Sequence, residues 1–141
     1  MEQIQLNTLK KSVKKGRVAN TYLLVGKANS DVLGAGFDLV KDIIRSPFAG
    51  MDIPQQQLAL ERLKTLTNPD VHYFYPVNTT NEVKTKAGSK DFIEKWRELV
   101  SDDTKISLVD WYSKIGLGNK QAAINKDEAE EISRIASLKS Y

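Results

Sequence analysis

Apolar positions along the chain recur mostly at three- and four-residue steps, the period of helices with one buried face. Ile4, Leu6, Leu9 and Val13 give such a stripe over residues 2–16, with Gly16 as the stop. Val32, Ala35, Leu39, Val40, Ile43 and Ile44 give a second, and Leu58, Leu63 and Leu66 a third that starts at Pro54. Phe92, Trp96 and Leu99 share one face of a helix over 91–100. Ser107 caps a helix in which Leu108, Trp111, Tyr112 and Ile115 turn inward. Asn125 and Glu128 have capping-box spacing ahead of Ala129, Ile132, Ile135, Ala136 and Leu138.

Three short stretches read instead as strands: residues 21–25, 71–76 and 121–124. Tyr22-Leu23-Leu24-Val25 is an unbroken apolar run that ends at Gly26, as suits a strand covered on both faces. Val71–Pro76, VHYFYP, is rich in β-branched and aromatic residues. Strands alternating with helices predict an α/β fold, a short parallel sheet flanked by helices in three layers, in a single domain over residues 1–141. Residues 77–90 have no apolar period and read as a flexible loop. Gly34 and Gly36 lie inside the second helix and read as close packing of that helix on the sheet.

The run–turn–helix unit from Thr21 to Ser46 organises the chain, because a helix start beyond a strand is an anion cradle. A Walker A loop needs G-x-x-x-x-G-K-[ST]. Counted from Gly26, the second glycine falls on Asp31, the lysine on Val32 and the hydroxyl on Leu33. An acid there repels triphosphate, and two aliphatic side chains can neither neutralise a phosphate nor ligate magnesium. Asp31 reads as the N-cap of the helix. Gly26, Lys27 and Asp31 are therefore the candidate residues of a degenerate P-loop that is expected to stand empty, with no cofactor.

Composition narrows the chemistry further. The 141 residues include no cysteine, which excludes disulfides, thiolate nucleophiles and cysteine zinc sites. His72 is the lone histidine, without the acidic or histidine neighbours of a metal site, so it reads as structural. No nucleophile–base dyad can be assembled, and the adjacent acids Asp102/Asp103 and Glu130/Glu131 read as solvated. Lys10, Lys11, Lys14, Lys15 and Arg17 load the end of the first helix. They fit a solvated face that complements the helix dipole, or alternatively a nucleic-acid patch. Net charge is +3 and no apolar run has the length of a membrane helix, so a cytoplasmic protein without membrane contact is expected.

Three stretches together resemble a known family. GRVANTYLLVG after a basic amphipathic helix is similar to the opening of bacterial clamp-loader subunits, and NPDVHYFYP to their His-Pro-Asp strand. AINKDEAEEISRIASLKSY resembles the strand–cap–helix segment that precedes the family's Walker B strand, and residues 90–125 resemble an insert of the Bacteroidetes type. The chain thus resembles the N-terminal portion of the delta-prime family of DNA polymerase III clamp-loader subunits, which are AAA+ proteins. The resemblance implies a non-hydrolysing subunit acting in DNA replication. Its partners would be the ATPase and delta-type subunits that load the sliding clamp, with primer-template DNA inside the complex.

Asn20 stands where the family has histidine, and the cysteine-free span 46–67 takes the place of a four-cysteine zinc module, so no zinc is expected. Nothing corresponding to the Walker B strand, the sensors or the arginine finger follows, so a truncated AAA+ domain with an exposed, self-associating sheet edge is expected. The alternatives are a P-loop NTPase using Lys27 and a small basic DNA-binding domain.

Overall fold

The computed structural model describes residues 3–138. Six α-helices account for most of the described order: α1 (Gln3–Lys14), α2 (Val32–Arg45), α3 (Ile53–Lys64), α4 (Ile93–Asp102), α5 (Leu108–Ile115) and α6 (Lys126–Ala136). Short 3-10 turns over Pro47–Ala49 and Ser89–Phe92 lead into α3 and α4. The chain divides into two compact units. One comprises the residues up to Asn68 together with Asp103–Ile106, and the other comprises Pro69–Asp102 and the chain from Ser107 onward.

In the first unit, α1 buries Val13 and α2 buries Leu39 and Ile44. Gly16 ends α1 in the left-handed region (φ 76°), as a stop after an amphipathic helix requires. A side chain at Gly16 would also strike the Phe48 ring, which lies 2.7 Å from the position of a Cβ. Asp52 and Gln55 form a reciprocal capping box at the start of α3, with Pro54 in its first turn. Leu63 and Leu66 fill the core behind it.

The second unit is built on aromatic side chains. Tyr75 stacks on Trp96 with ring centroids 4.7 Å apart, and meets Trp111 edge-on at 4.6 Å. Trp96 and Trp111 are themselves edge-to-face at 5.5 Å, and Tyr73 lies 6.1 Å from Trp96. Such offset and T-shaped pairs favour the ring quadrupoles beyond the area they bury. Phe92, Val100, Ile115 and Leu117 complete this core.

The expected α/β architecture with a parallel sheet is not what forms. Among the described residues the chain is helical, and its one β pairing is an isolated antiparallel bridge between Val77 and Ala123. The reason lies in where the backbone groups of the expected strands find partners. In the stretch 71–76, the Tyr75 N–H donates to Ser89 Oγ at 3.3 Å, and the Pro76 carbonyl accepts from Trp111 Nε1 at 2.8 Å. Side chains thus take the place of a neighbouring strand. The stretch 121–124 pairs only through Ala123, and the Gln121 carbonyl accepts from Asn78 Nδ2. Among the described residues, the stretch 21–25 bonds to no strand. The loop expected to be flexible over 77–90 is held in place: Val77, Ala87 and Ser89 are buried, and Lys120 Nζ donates to the Thr79 carbonyl at 3.1 Å.

Candidate functional site

The turn that leads into α2 is closed by its own polar groups. The Lys27 carbonyl accepts from the Ser30 N–H at 3.1 Å and from Ser30 Oγ at 2.6 Å, and Asn29 takes the left-handed conformation (φ 68°) at the tip. Asp31 follows as the N-cap of α2, as its position in the sequence indicates. Its Oδ1 accepts from the Gly34 N–H at 2.7 Å. Thr104 Oγ1 lies 2.9 Å from both carboxylate oxygens and donates to them. The Asp31 carboxylate thus occupies the helix start, where an anionic ligand would otherwise meet the backbone N–H groups and the positive end of the dipole.

That arrangement decides what the turn can do chemically. A phosphate brought to this helix start faces a fixed negative charge. At about 4 Å and the effective dielectric of a protein surface, the repulsion is on the order of 4 kcal/mol per pair of unit charges. Val32 and Leu33 open α2 at the positions where charge-neutralising groups would be needed. Gly26 and Lys27 are exposed, and Lys27 makes no ion pair among the described residues.

The basic residues form a second feature on α1 and its C-terminal turn. Lys11, Lys14, Lys15 and Arg17 are exposed, whereas Lys10 is half-buried beside the apolar face. None of the five pairs with an acid among the described residues. The Arg17 N–H donates to the Ser12 carbonyl and Ser12 Oγ donates to the Arg17 carbonyl, both at 3.0 Å, which ties Arg17 back to the last turn of the helix. The first unit carries eleven basic and seven acidic side chains, the second ten and eleven, so the positive charge is concentrated in the first.

His72 is exposed, and no group of three or more metal-ligating side chains gathers among the described residues. Of the adjacent acids, Glu131 is engaged by Arg134 at 2.6 and 2.8 Å, and this hydrogen bonding holds its carboxyl below the usual range. No described helix is long and apolar enough to cross a membrane.

A further departure from the sequence reading is at Glu128. Asn125 caps α6 as expected, its Oδ1 accepting from the Glu128 N–H at 2.9 Å. The Glu128 side chain does not return to the cap. It is buried and accepts from the Ser89 N–H. Tyr75 hydroxyl donates to the Ser89 carbonyl, and Asn125 Nδ2 donates to the Ala87 carbonyl at 3.2 Å. Burial, then the Glu128 charge, pushes the Tyr75 phenol well above its ordinary range. Burial pushes Tyr73 up to about 12. Trp96 Nε1 is buried with no hydrogen-bond partner among the described residues. In the sequence, this network showed only as the acid three residues after a cap.

Comparison of the chain with known protein families, with curated proteins and with solved structures finds no match.

Proposed function

We propose that this chain is a non-catalytic supporting subunit of the kind its sequence resembles, a delta-prime-like component of a clamp loader. In this reading it positions neighbouring ATPase subunits during DNA replication and hydrolyses nothing itself. One observation carries the proposal: the Asp31 carboxylate lies on the Gly34 N–H, with Thr104 hydrogen-bonded to it, at the helix start that a nucleotide phosphate would need. Because the described residues hold no sheet, the reading rests on this turn and on the quoted sequence motifs, not on a likeness of fold.

Titration of the full chain with Mg·ATP, followed by calorimetry, tests it. The expected result is no saturable binding, together with capture of the chain by a purified bacterial clamp-loader ATPase subunit. Micromolar Mg·ATP affinity would favour the P-loop NTPase reading with Lys27, and overturn the proposal.

A second reading is favoured by the exposed, unpaired cations at the end of α1. A small DNA-binding role through Lys11, Lys14, Lys15 and Arg17, with Lys10 beside them, predicts a salt slope of log K between about −3.6 and about −4.5, from roughly 0.9 per neutralised phosphate. Replacement of the four lysines by glutamine would leave only the Arg17 contribution, a slope of about −0.9.

A further inference from the structure

We propose that Thr21–Gly26 is an acceptor strand that takes up an extended, acid-ended segment of another protein through main-chain hydrogen bonds. This goes beyond the supporting role proposed above and does not depend on it. The segment runs without helix or turn, and its exposure alternates with the period of a strand. Tyr22 and Leu24 are half-buried, while Leu23 is 86% and Val25 66% exposed.

Leu24 turns toward α2, and Tyr22 folds back on its own stretch. The Ala19 N–H donates to the Tyr22 hydroxyl at 2.8 Å, and Leu24 Cδ1 lies 3.6 Å from where a Cβ on Gly36 would stand, so Leu24 sits close to α2. The backbone N–H and C=O groups of Thr21–Gly26 make no hydrogen bond with any described residue. The segment therefore leaves its backbone groups open and points two aliphatic side chains outward, which leaves room for an added strand to pair with it.

Area and charge select the occupant. Six residues of backbone edge with two outward aliphatic side chains offer roughly a few hundred Å², well short of the roughly 800 Å² per partner of a stable interface between folded proteins. A second folded copy is thus poorly served, whereas a short peptide draws its affinity from main-chain bonds. Lys27 stands exposed at one end of the segment, in a unit with eleven basic and seven acidic side chains. The complementary partner alternates aliphatic residues and carries an acid at the end that meets Lys27.

The test uses the isotope-labelled full chain and the probe peptide acetyl-EVTVTVE-amide, with amide hydrogen exchange as the readout. An added strand covers one edge, so alternate amides within residues 22–26 should slow by about tenfold or more and their neighbours should not. The lysine-ended peptide acetyl-KVTVTVK-amide should bind at least about tenfold more weakly. Replacing Leu23 and Val25 by serine should abolish the slowing; both are exposed, so the fold is retained. Equal slowing by a peptide N-methylated at alternate residues would overturn the proposal, as would contiguous slowing, since either indicates plain apolar adhesion. Slowing that depends on protein concentration without peptide would overturn it in favour of self-pairing.

Discussion

If the buried Glu128 carboxylate fastens α6 to the turn at Ser89, removing it should cost far more than an ordinary helix-surface change. Ser89 is 3% exposed, and its N–H points at Glu128 Oε1. Glu128→Ala leaves that donor buried without a partner, at a cost of about 1–3 kcal/mol, and it also removes a charge-assisted bond. We expect a loss of about 2–3 kcal/mol, or roughly 6–12 °C in Tm for a chain of this size. Glu128→Gln keeps an acceptor oxygen and should lose about 1 kcal/mol. Gly88 provides the control. A Cβ there would come 2.6 Å from Glu128 Oε1, while the Gly88 backbone (φ −131°, ψ 165°) suits any residue. Gly88→Ala should therefore displace the carboxylate in the native chain. In the Glu128→Ala background it should be neutral or slightly stabilising, because alanine restricts the unfolded chain. Trp96 and Trp111 both lie in the aromatic core around Tyr75, so denaturant unfolding followed by tryptophan fluorescence reports on this unit. A coupling energy near 2 kcal/mol is expected from the cycle. Additivity within about 0.5 kcal/mol would refute the reasoning, because uncoupled sites add to that tolerance.

Asp31→Ala should cost about 1–2 kcal/mol through loss of the cap and of the Thr104 bond, whereas Asp31→Asn, a good cap, should cost a few tenths; circular-dichroism melts distinguish them. Neither variant should acquire Mg·ATP binding by calorimetry, since Val32 and Leu33 remain. Stability should fall as pH rises from about 10, where the tyrosines of the unfolded chain ionise, toward about 12, where Tyr73 does so in the folded chain. Over that window the unfolded chain binds fewer protons than the folded one, so the slope is negative. Tyr73 should contribute at most the roughly 1.4 kcal/mol per pH unit of one fully linked group, its hydroxyl being buried in the folded chain. Tyr75→Phe should flatten the slope, and unchanged stability between pH 9 and 11.5 would contradict this account.

The helices were legible because each carries its own instructions. The Ser107 and Asn125 caps, the stop at Gly16 and the three- and four-residue steps are all local, and the structure places helices where they fall. Asp31 as a cap was legible for the same reason. Thr104, its partner 73 residues on, was not, because nothing local marks a surface threonine as a donor to a distant carboxylate. The reciprocal box at Asn125 was misread because Glu128 has a choice of buried donors. The Ser89 N–H, 39 residues away, takes its carboxylate instead. The sheet was misread for a related reason. An apolar run specifies burial, and burial against tryptophans satisfies VHYFYP as well as burial between strands does.

The two apolar runs expected to be strands differ in one physical respect. In 71–77 the backbone is paired from within its own unit: Tyr75 with Ser89, Pro76 with Trp111, and Val77 with Ala123 in both directions, at 3.1 and 3.2 Å. Its alternate side chains, Tyr73 and Tyr75, are enclosed by rings. In 21–26 Leu24 lies close to α2, yet neither the backbone nor Leu23 and Val25 find partners among the described residues. Backbone polar groups and exposed aliphatic surface left open together in one segment give a joining segment both kinds of contact at once. That is why recognition, if the chain works by contact and not by catalysis, belongs at Thr21–Gly26, next to a turn whose anion site its own aspartate has filled.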